Sequence, residues 1–298
     1  MLQFRRKVRL SFSGGFIVNP GGFNKHDLKV AFSLTKDISS AVNSGTVEIW
    51  NLTESHRNSI GKEYDEVVIE AGYMPPDGES NVGIIGRIDV KDVEHTRDGA
   101  DIITRISCGE GHKALARATT SKSWPKGTLV KDVIEDIYKE LEKEGIKRGE
   151  WKFPEDMPAE FKRPYAACGS CRRELDMIGR GHGFYWSVQN GVMEIVPGDG
   201  YVGTMVSLDP NSGMIDVPTI TDNGIRVACL INPEIRPNRR IQVRSQVLEM
   251  NAANGVYRVG ACTFAGDNRD GEFRCDITAE SIQGDGKVDQ GKSKRKKK

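Results

Sequence analysis

Cys168 and Cys171 stand at C-x-x-C spacing in CGSCRRELDMIGRGHGFYW (residues 168–186), and His182 follows between two glycines. Thiolates and imidazole are the ligands of structural zinc, and a C-x-x-C that opens a helix is also the dithiol of redox centres. A structural zinc takes four ligands, typically from two such pairs. No second pair stands at a suitable distance here, and Cys108, Cys229, Cys262 and Cys275 fall on strand-like stretches elsewhere. A thioredoxin-type dithiol follows a strand in a βαβ unit, whereas a proline-rich, irregular stretch precedes this one. The segment therefore reads as structural. The cysteines supply small apolar packing at the start of a short helix capped by Ser170. Gly179, Gly181 and Gly183 end that helix, and the turn places His182. A zinc or thiol-redox protein using Cys168, Cys171 and His182 is the alternative from a different class.

Other chemistry is sparse. The chain holds no G-x-S-x-G, P-loop, H-E-x-x-H or G-x-G-x-x-G. His26, His56, His95, His112 and His182 are scattered, mostly near turns. The nearest approach to a polar cluster is SCGEGHKAL, with Cys108, Glu110 and His112. It closes a strand and reads as a turn. No catalytic residue, cofactor-binding residue or metal ligand is assigned, no cofactor is expected, and the expectation is of a protein that is not an enzyme.

The totals fit that reading. A chain of 298 residues with 37% apolar residues, 33 glycines and 29% charged residues suits about two loop-rich, β-leaning domains. Six cysteines are too few for a disulfide scaffold. The apolar runs are far too short to span a bilayer, so no membrane anchor is expected, and MLQFRRKVRLSFSGG lacks the apolar core of a signal peptide. The last seven residues, KSKRKKK, hold six of the 43 basic residues, which leaves 37 against 42 acidic ones, or −5. A mildly acidic body with a cationic tail is not a general nucleic-acid binder, because the phosphate contribution needs a basic face on the fold itself.

Periodicity places the elements. LKVAFSL alternates, with Leu28, Val30, Phe32 and Leu34 on one face. TVEIWNL, EVVIEAGYM, VGIIGRIDVKDVEHT and ADIITRISC follow as strands, the last two around the RDG turn, with no convincing helix up to residue 118. LVKDVIEDIYKELEKE is an amphipathic helix with Thr128 as N-cap and Gly145 past its end; Leu129, Val133, Ile137 and Leu141 form its apolar stripe, with Val130 and Ile134 beside them. GEWKFPEDMPAEFKRPYA (149–166) reads as an irregular connector. FYWSVQ-NG-VMEIVP is a hairpin on the Asn190-Gly191 signal. GIRVACLIN, RRIQVRSQVLEM, GVYRVGACTFA and EFRCDIT return to β, and a symmetric GDNRDG turn sets Cys262 opposite Cys275. The expected division is 1–118 (β), 119–200 (helix–helix–hairpin, α+β), 201–280 (β) and 281–298 (a disordered lysine-rich tail).

Three stretches carry a family resemblance. LKVAFSLTKDISSAVNSGTVEIWNLTESHRNSI resembles the N-terminal module of phage baseplate hub proteins of contractile tails. WPKGTLVKDVIEDIYKEL with CRRELDMIGRGHGFYWSVQNGVMEIVP is similar to their middle region. SLDPNSGMIDVPTITDNGIRVACLINPEIRPNRRIQVRS with GVYRVGACTFAGDNRDGEF is similar to their C-terminal module. The likeness runs from about residue 5 to 280; the C-x-x-C and the lysine-rich tail depart from the family pattern. It implies a mainly β fold in which two tail-tube-like β-barrel modules flank a small α+β middle domain. It also implies a structural virion protein, assembled in the bacterial cytoplasm: a homotrimeric adaptor between the hexameric tail tube and the trimeric central spike, in contact with other baseplate proteins and meeting DNA only in transit through the lumen. A distal-tail or tail-associated protein of a non-contractile tail is the nearest alternative. Lys292, Lys294, Arg295, Lys296, Lys297 and Lys298 are the expected partner contact, on an acidic surface of the spike or a neighbour. Arg236, Arg239, Arg240 and Arg244 are candidates to line a lumen or an interface.

Overall fold

Strand alternation in VAFSLTKD becomes one buried and one open face. Val30, Phe32 and Leu34 are buried, and Ser33 and Thr35, which alternate with them, are exposed. The computed structural model describes residues 5–76, 79–245, 255–283 and 286–289. Its first β region holds β1 (Arg6–Phe12), β2 (Ile17–Val18), β3 (Val30–Asp37), β4 (Ser44–Trp50), β5 (Glu66–Tyr73), β6 (Gly83–Asp98) and β7 (Asp101–Gly109). Two short helices that the periodicity does not announce, α1 (Glu54–Ser59) and α2 (His112–Arg117), lie in and just after it. The middle unit holds β8 (Thr119–Trp124), α3 (Val130–Lys143), β9 (Lys147–Trp151), β10 (Tyr165–Ser170), α4 (Cys171–His182), β11 (Phe184–Gln189) and β12 (Val192–Pro197). The last region holds β13 (Met205–Leu208), β14 (Met214–Thr221), β15 (Gly224–Leu230), β16 (Arg240–Val243), β17 (Gly255–Asp267) and β18 (Phe273–Ser281).

The two β regions, expected as separate modules, share one 13-stranded sheet ordered β14-β15-β18-β17-β3-β4-β7-β6-β5-β1-β2, with β16 on β17 and β13 on β16. The seam is the antiparallel pairing of β17 with β3, in which Phe264 faces Leu34. Among the described residues no pairing closes either region on itself. One continuous core, from Val8 to Ala279, fills the space beneath both. β17 serves three neighbours because its register shifts at Val259–Ala261, the mark of a β-bulge that bends the strand. Its near half pairs β16 and its far half pairs β3, while β18 runs alongside both.

The cysteine register differs from the symmetric-turn expectation. Cys275 faces Phe264 on β17 and Cys229 on β15, while Cys262 faces Ile277. The turn is shifted because Gly266 stays in the ladder opposite Phe273, and the Asp267 carboxylate accepts the N–H groups of Arg269 and Asp270. A side chain at Gly266 would collide with Phe273 and Phe32, 2.6 and 2.8 Å away.

The middle unit has a second core, running from Ala114 to Ile195. On α3, Val130, Val133, Ile134, Ile137 and Leu141 are fully buried, each worth about 1.5–3 kcal/mol relative to exposure. The helix starts one residue later than the capping signal suggests, with Leu129 at the N-cap. Thr128 donates its hydroxyl to Pro125 O at 2.8 Å instead of capping, and Leu129 is exposed. The proline-rich connector is bounded by two strands, β9, parallel to β12, and β10, antiparallel to β8. Asn190 and Gly191 take φ of +54° and +76°, as a two-residue hairpin turn requires. No helix among the described residues is long and apolar enough to cross a membrane.

Candidate assembly interface

The C-x-x-C stretch splits on folding. Cys168 lies exposed on β10 opposite Ser121, while Cys171 is fully buried at the first position of α4. Burial, with the nearby Glu140 and Glu174 carboxylates, pushes the Cys171 thiol up to about 11. A nucleophilic or metal-binding thiol needs the opposite shift. The pair straddles the end of a strand, where the sequence reading placed only an irregular stretch, but the strand's antiparallel partner β8 makes no βαβ unit. His182 Nδ1 lies 2.8 Å from Ile178 O, one helical turn back, and its ring meets Phe161 edge-on. Ser170 flanks the helix without a side-chain capping bond. Of the three glycines, Gly179 and Gly181 lie inside α4, and only Gly183 takes positive φ, +72°, at the C-cap. Gly179 permits close approach: a Cβ there would stand 2.9 Å from Phe184 O. Among the described residues no three His, Cys, Asp or Glu side chains gather into a metal-holding group.

The second polar stretch is where the units meet. Glu110 and Lys36 are each only 1% exposed, and their ion pair spans 3.4 Å. Asn43 donates to Glu110 Oε2 at 2.6 Å and to Val188 O at 3.1 Å, while the Asn190 N–H donates to Glu110 Oε1. Lys36 also donates to Asn190 Oδ1, and Gln189 donates to Asp37 O at 2.9 Å. The hairpin of β11 and β12 is thus fastened to the end of β3 by a buried charge pair whose remaining polar atoms find partners, the condition under which such a pair is tolerated. Two more cations continue the joint. Arg239 grips Glu194 of β12 with both terminal nitrogens, at 3.0 and 2.5 Å. Arg258, 2% exposed, donates to Gly198 O, Gly200 O and the Glu280 carboxylate. Sequence reasoning passed over Lys36, Asn43, Glu194 and Arg258. The signal for Lys36 was present: it continues the inward series Val30, Phe32, Leu34 by one more step of two.

The joint orients the middle unit on the sheet and leaves other surfaces open. β14 is a terminal strand, with Val217 and Ile220 exposed at 45% and 49%. Its pairing with β15 breaks between Ile215 and Thr219, around Asp216 (φ +60°) and Pro218. A bulge and a proline on an edge limit indiscriminate strand addition. β6 pairs β5 only as far as Asp89, so from Val90 to Asp98 it has β7 on one side alone. Met177 of α4, Tyr185 of β11 and Met205 of β13 add exposed apolar surface. Of the candidate arginines, Arg239 belongs to the internal joint rather than to a lumen, and Arg240 stacks over Tyr201 at 4.4 Å. Arg236 donates to Pro233 O, and Arg244 is exposed. Lys292, Lys294, Arg295, Lys296, Lys297 and Lys298 lie outside the described residues.

A family model described as baseplate hub gp41 matches residues 7–279. Among solved structures, the fold is similar to that of the tail protein from Neisseria meningitidis MC58, with a TM-score of 0.59 at 11% identity over 93% of this chain and 97% of that one. The 43 kDa tail protein of prophage MuSo2 from Shewanella oneidensis gives 0.61 at 10% identity over the same 93% and 97%. The E. coli c3393 protein, a type VI secretion component with structural similarity to T4 bacteriophage tail proteins gp27 and gp5, gives 0.54 at 12% identity over 92% and 77%. At these identities the likeness is one of fold. Among curated proteins, a sequence comparison finds no match.

Proposed function

The chain belongs to the baseplate hub gp41 family, and on that premise we propose that three copies form a ring joining the hexameric tail tube to the trimeric central spike. Its role is structural, in the baseplate hub of a phage tail, and its place is the virion tail. The family match from residue 7 to 279 carries the reading, since it spans both β regions and the middle unit. In this reading residues 1–118 and 201–280 supply two tube-like modules per chain, so a trimer presents six. Residues 119–200 form the middle domain beside them. A ring of this kind converts six-fold into three-fold symmetry, a task of interfaces that asks for no catalytic group. Likeness in fold to a protein that itself resembles gp27 and gp5 supports a spike on one side. Other baseplate proteins surround the ring, DNA passes only through its lumen, and assembly takes place in the host cytoplasm.

Co-expression with the candidate tube and spike proteins, followed by imaging, is expected to give three-fold complexes. Light scattering that finds only the 33.0 kDa monomer even with the cognate spike present overturns the reading. Complexes formed solely with proteins of an unsheathed tail would instead assign a distal-tail role. In the same scheme Lys292, Lys294, Arg295, Lys296, Lys297 and Lys298 bind an acidic surface of the spike or a neighbour. Normal recovery of the hub–spike complex at moderate salt after deletion of residues 292–298 rules that contact out.

A further inference from the structure

Two exposed surfaces of opposite charge carry groups without ion-pair partners among the described residues. The first is the outer hairpin of β6 and β7, paired to its last step at Asp98 and Asp101. Asp92, Glu94, Asp98 and Asp101 are exposed there, against Lys91, Arg97 and Arg105, the last standing opposite Glu94 and engaged by Glu48 of β4. Asp101 accepts a hydrogen bond from Asn51 at 2.8 Å. Among the described residues no ion pair engages Asp92, Glu94 or Asp98.

The second is a depression lined by Arg5, Arg6, Lys25 and Arg269, with the exposed ring of Phe23 at its side. Its guanidinium groups are held in place without being neutralised. Arg6 donates to Asp267 O and Gly271 O, at 3.2 and 2.9 Å. Arg269 donates to Lys25 O at 2.6 Å and to Asp27 O. Arg5 lies over Phe23, 5.3 Å from the ring centre. The one carboxylate in the depression, Asp27, is occupied by Lys7 at 2.7 Å.

We propose that the acidic hairpin of one copy seats in the basic depression of the next. This interface rests on the hub-ring reading and gives the ring its contact. A ring needs a heterologous contact, made by two different patches of each subunit. The strand order supplies them: the β6–β7 hairpin and the β17–β18 turn that carries Arg269 are separated by β4 and β3. Because the hairpin ladder is paired to its tip, its carboxylates are presented with little ordering to be done on binding. Both halves occur once per chain, so donors and acceptors match in number whatever the ring size. A second copy fits better than a nucleic acid, because the cations form one small site on an acidic body instead of a stripe that follows a phosphate backbone.

The test is a charge exchange at exposed positions. One variant carries Asp92→Lys, Glu94→Lys and Asp98→Lys; a second carries Arg5→Glu and Lys25→Glu. Circular dichroism melting confirms that each folds. Sedimentation is expected to show self-association of the wild type weakening between about 0.05 and 0.5 M salt. Each variant alone should raise the dissociation constant about tenfold or more, and an equimolar mixture of the two should recover a mixed assembly. Wild-type rings whose stability neither variant alters overturn the interface while leaving the hub reading intact. A wild type that stays monomeric with tube and spike proteins present overturns both. Binding of duplex DNA that the Arg5→Glu, Lys25→Glu variant loses, with self-association unmoved, overturns the proposal in favour of a polyanion site.

Discussion

Two stretches of this chain carry the same kinds of residue and come to opposite ends. Cys168, Cys171 and His182 have the spacing of a metal or redox centre, yet folding sends one thiol outward, buries the other and ties the imidazole to a carbonyl. Cys108, Glu110 and His112 have the look of a turn, yet Glu110 becomes the buried anion on which the two units are fastened. The difference lies in what surrounds each group. Spacing announces which atoms can converge, but the partners available at that depth decide whether they do. At the first stretch the imidazole is satisfied one helical turn back and the exposed thiol faces water. At the second, Glu110 has to draw on residues 36, 43 and 190, far away in sequence, because a carboxylate cannot stay ionised and alone in the interior.

The contrast can be broken most directly at Lys36. Lys36→Met strands the Glu110 charge and is expected to cost about 3–5 kcal/mol in urea unfolding. A loss no larger than that of a surface substitution would show that the joint contributes nothing. Arg239→Ala removes the two-pronged grip on Glu194 and is expected to cost about 2–3 kcal/mol, read in the same titration. At the other stretch, Cys171→Ser places a hydroxyl in an apolar pocket at an expected cost of about 1–3 kcal/mol. Cys168→Ser, at an exposed position, should stay within about 0.5 kcal/mol. Unequal costs for these two cysteines would separate packing from a shared site, and stoichiometric zinc lost from both variants would reinstate the metal reading.

A pH series sharpens the same comparison. Burial holds the thiols of Cys171 and Cys108 above their ordinary value of 9, at about 11 and about 12. Both are groups whose pKa is raised on folding. Their stabilising contribution is therefore complete below pH 9 and is lost as the pH climbs from there towards 11 and 12. Unfolding titrations across that window should show stability falling, and Cys171→Ala should flatten part of the fall. Alkylation of folded protein at pH 8 should label Cys168 and spare Cys171. Equal labelling would mean that Cys171 is open to solvent.

Much of the fold was legible along the chain. Alternation located β3 and its inward face, the 3.6-residue stripe located α3, and Asn190-Gly191 located the hairpin of β11 and β12. These signals are local, because each depends on which side of one element meets a core. The misreadings arose where a local signal competed with something distant. Thr128 looks like a cap, but the chain before α3 is held by Ala159 O and Phe161 N across the connector. The GDNRDG turn looks symmetric, but the small residue Gly266 stays in the ladder beneath two phenylalanines. Of the joint, Lys36 left a trace as a charge continuing an apolar face, Glu110 stood in the polar stretch that reads as a turn, and Arg239 was among the candidate interface arginines; Asn43, Glu194 and Arg258 left none.

By itself the sequence determined where the longer strands and helix α3 form, which of their faces turn inward, and that the chain resembles a hub, because periodicity, turn chemistry and motif order are written residue by residue. Tertiary structure alone decided that the two β regions share one sheet through β17 and β3, since strand pairing across more than two hundred residues leaves no local signature. It also decided which charges are buried. Glu110 and Asp92 are both single acidic residues in or near the β6–β7 region, and only the approach of the middle unit removes water from one and leaves the other exposed. Desolvation depends on what packs overhead, and no pattern within a single element records that.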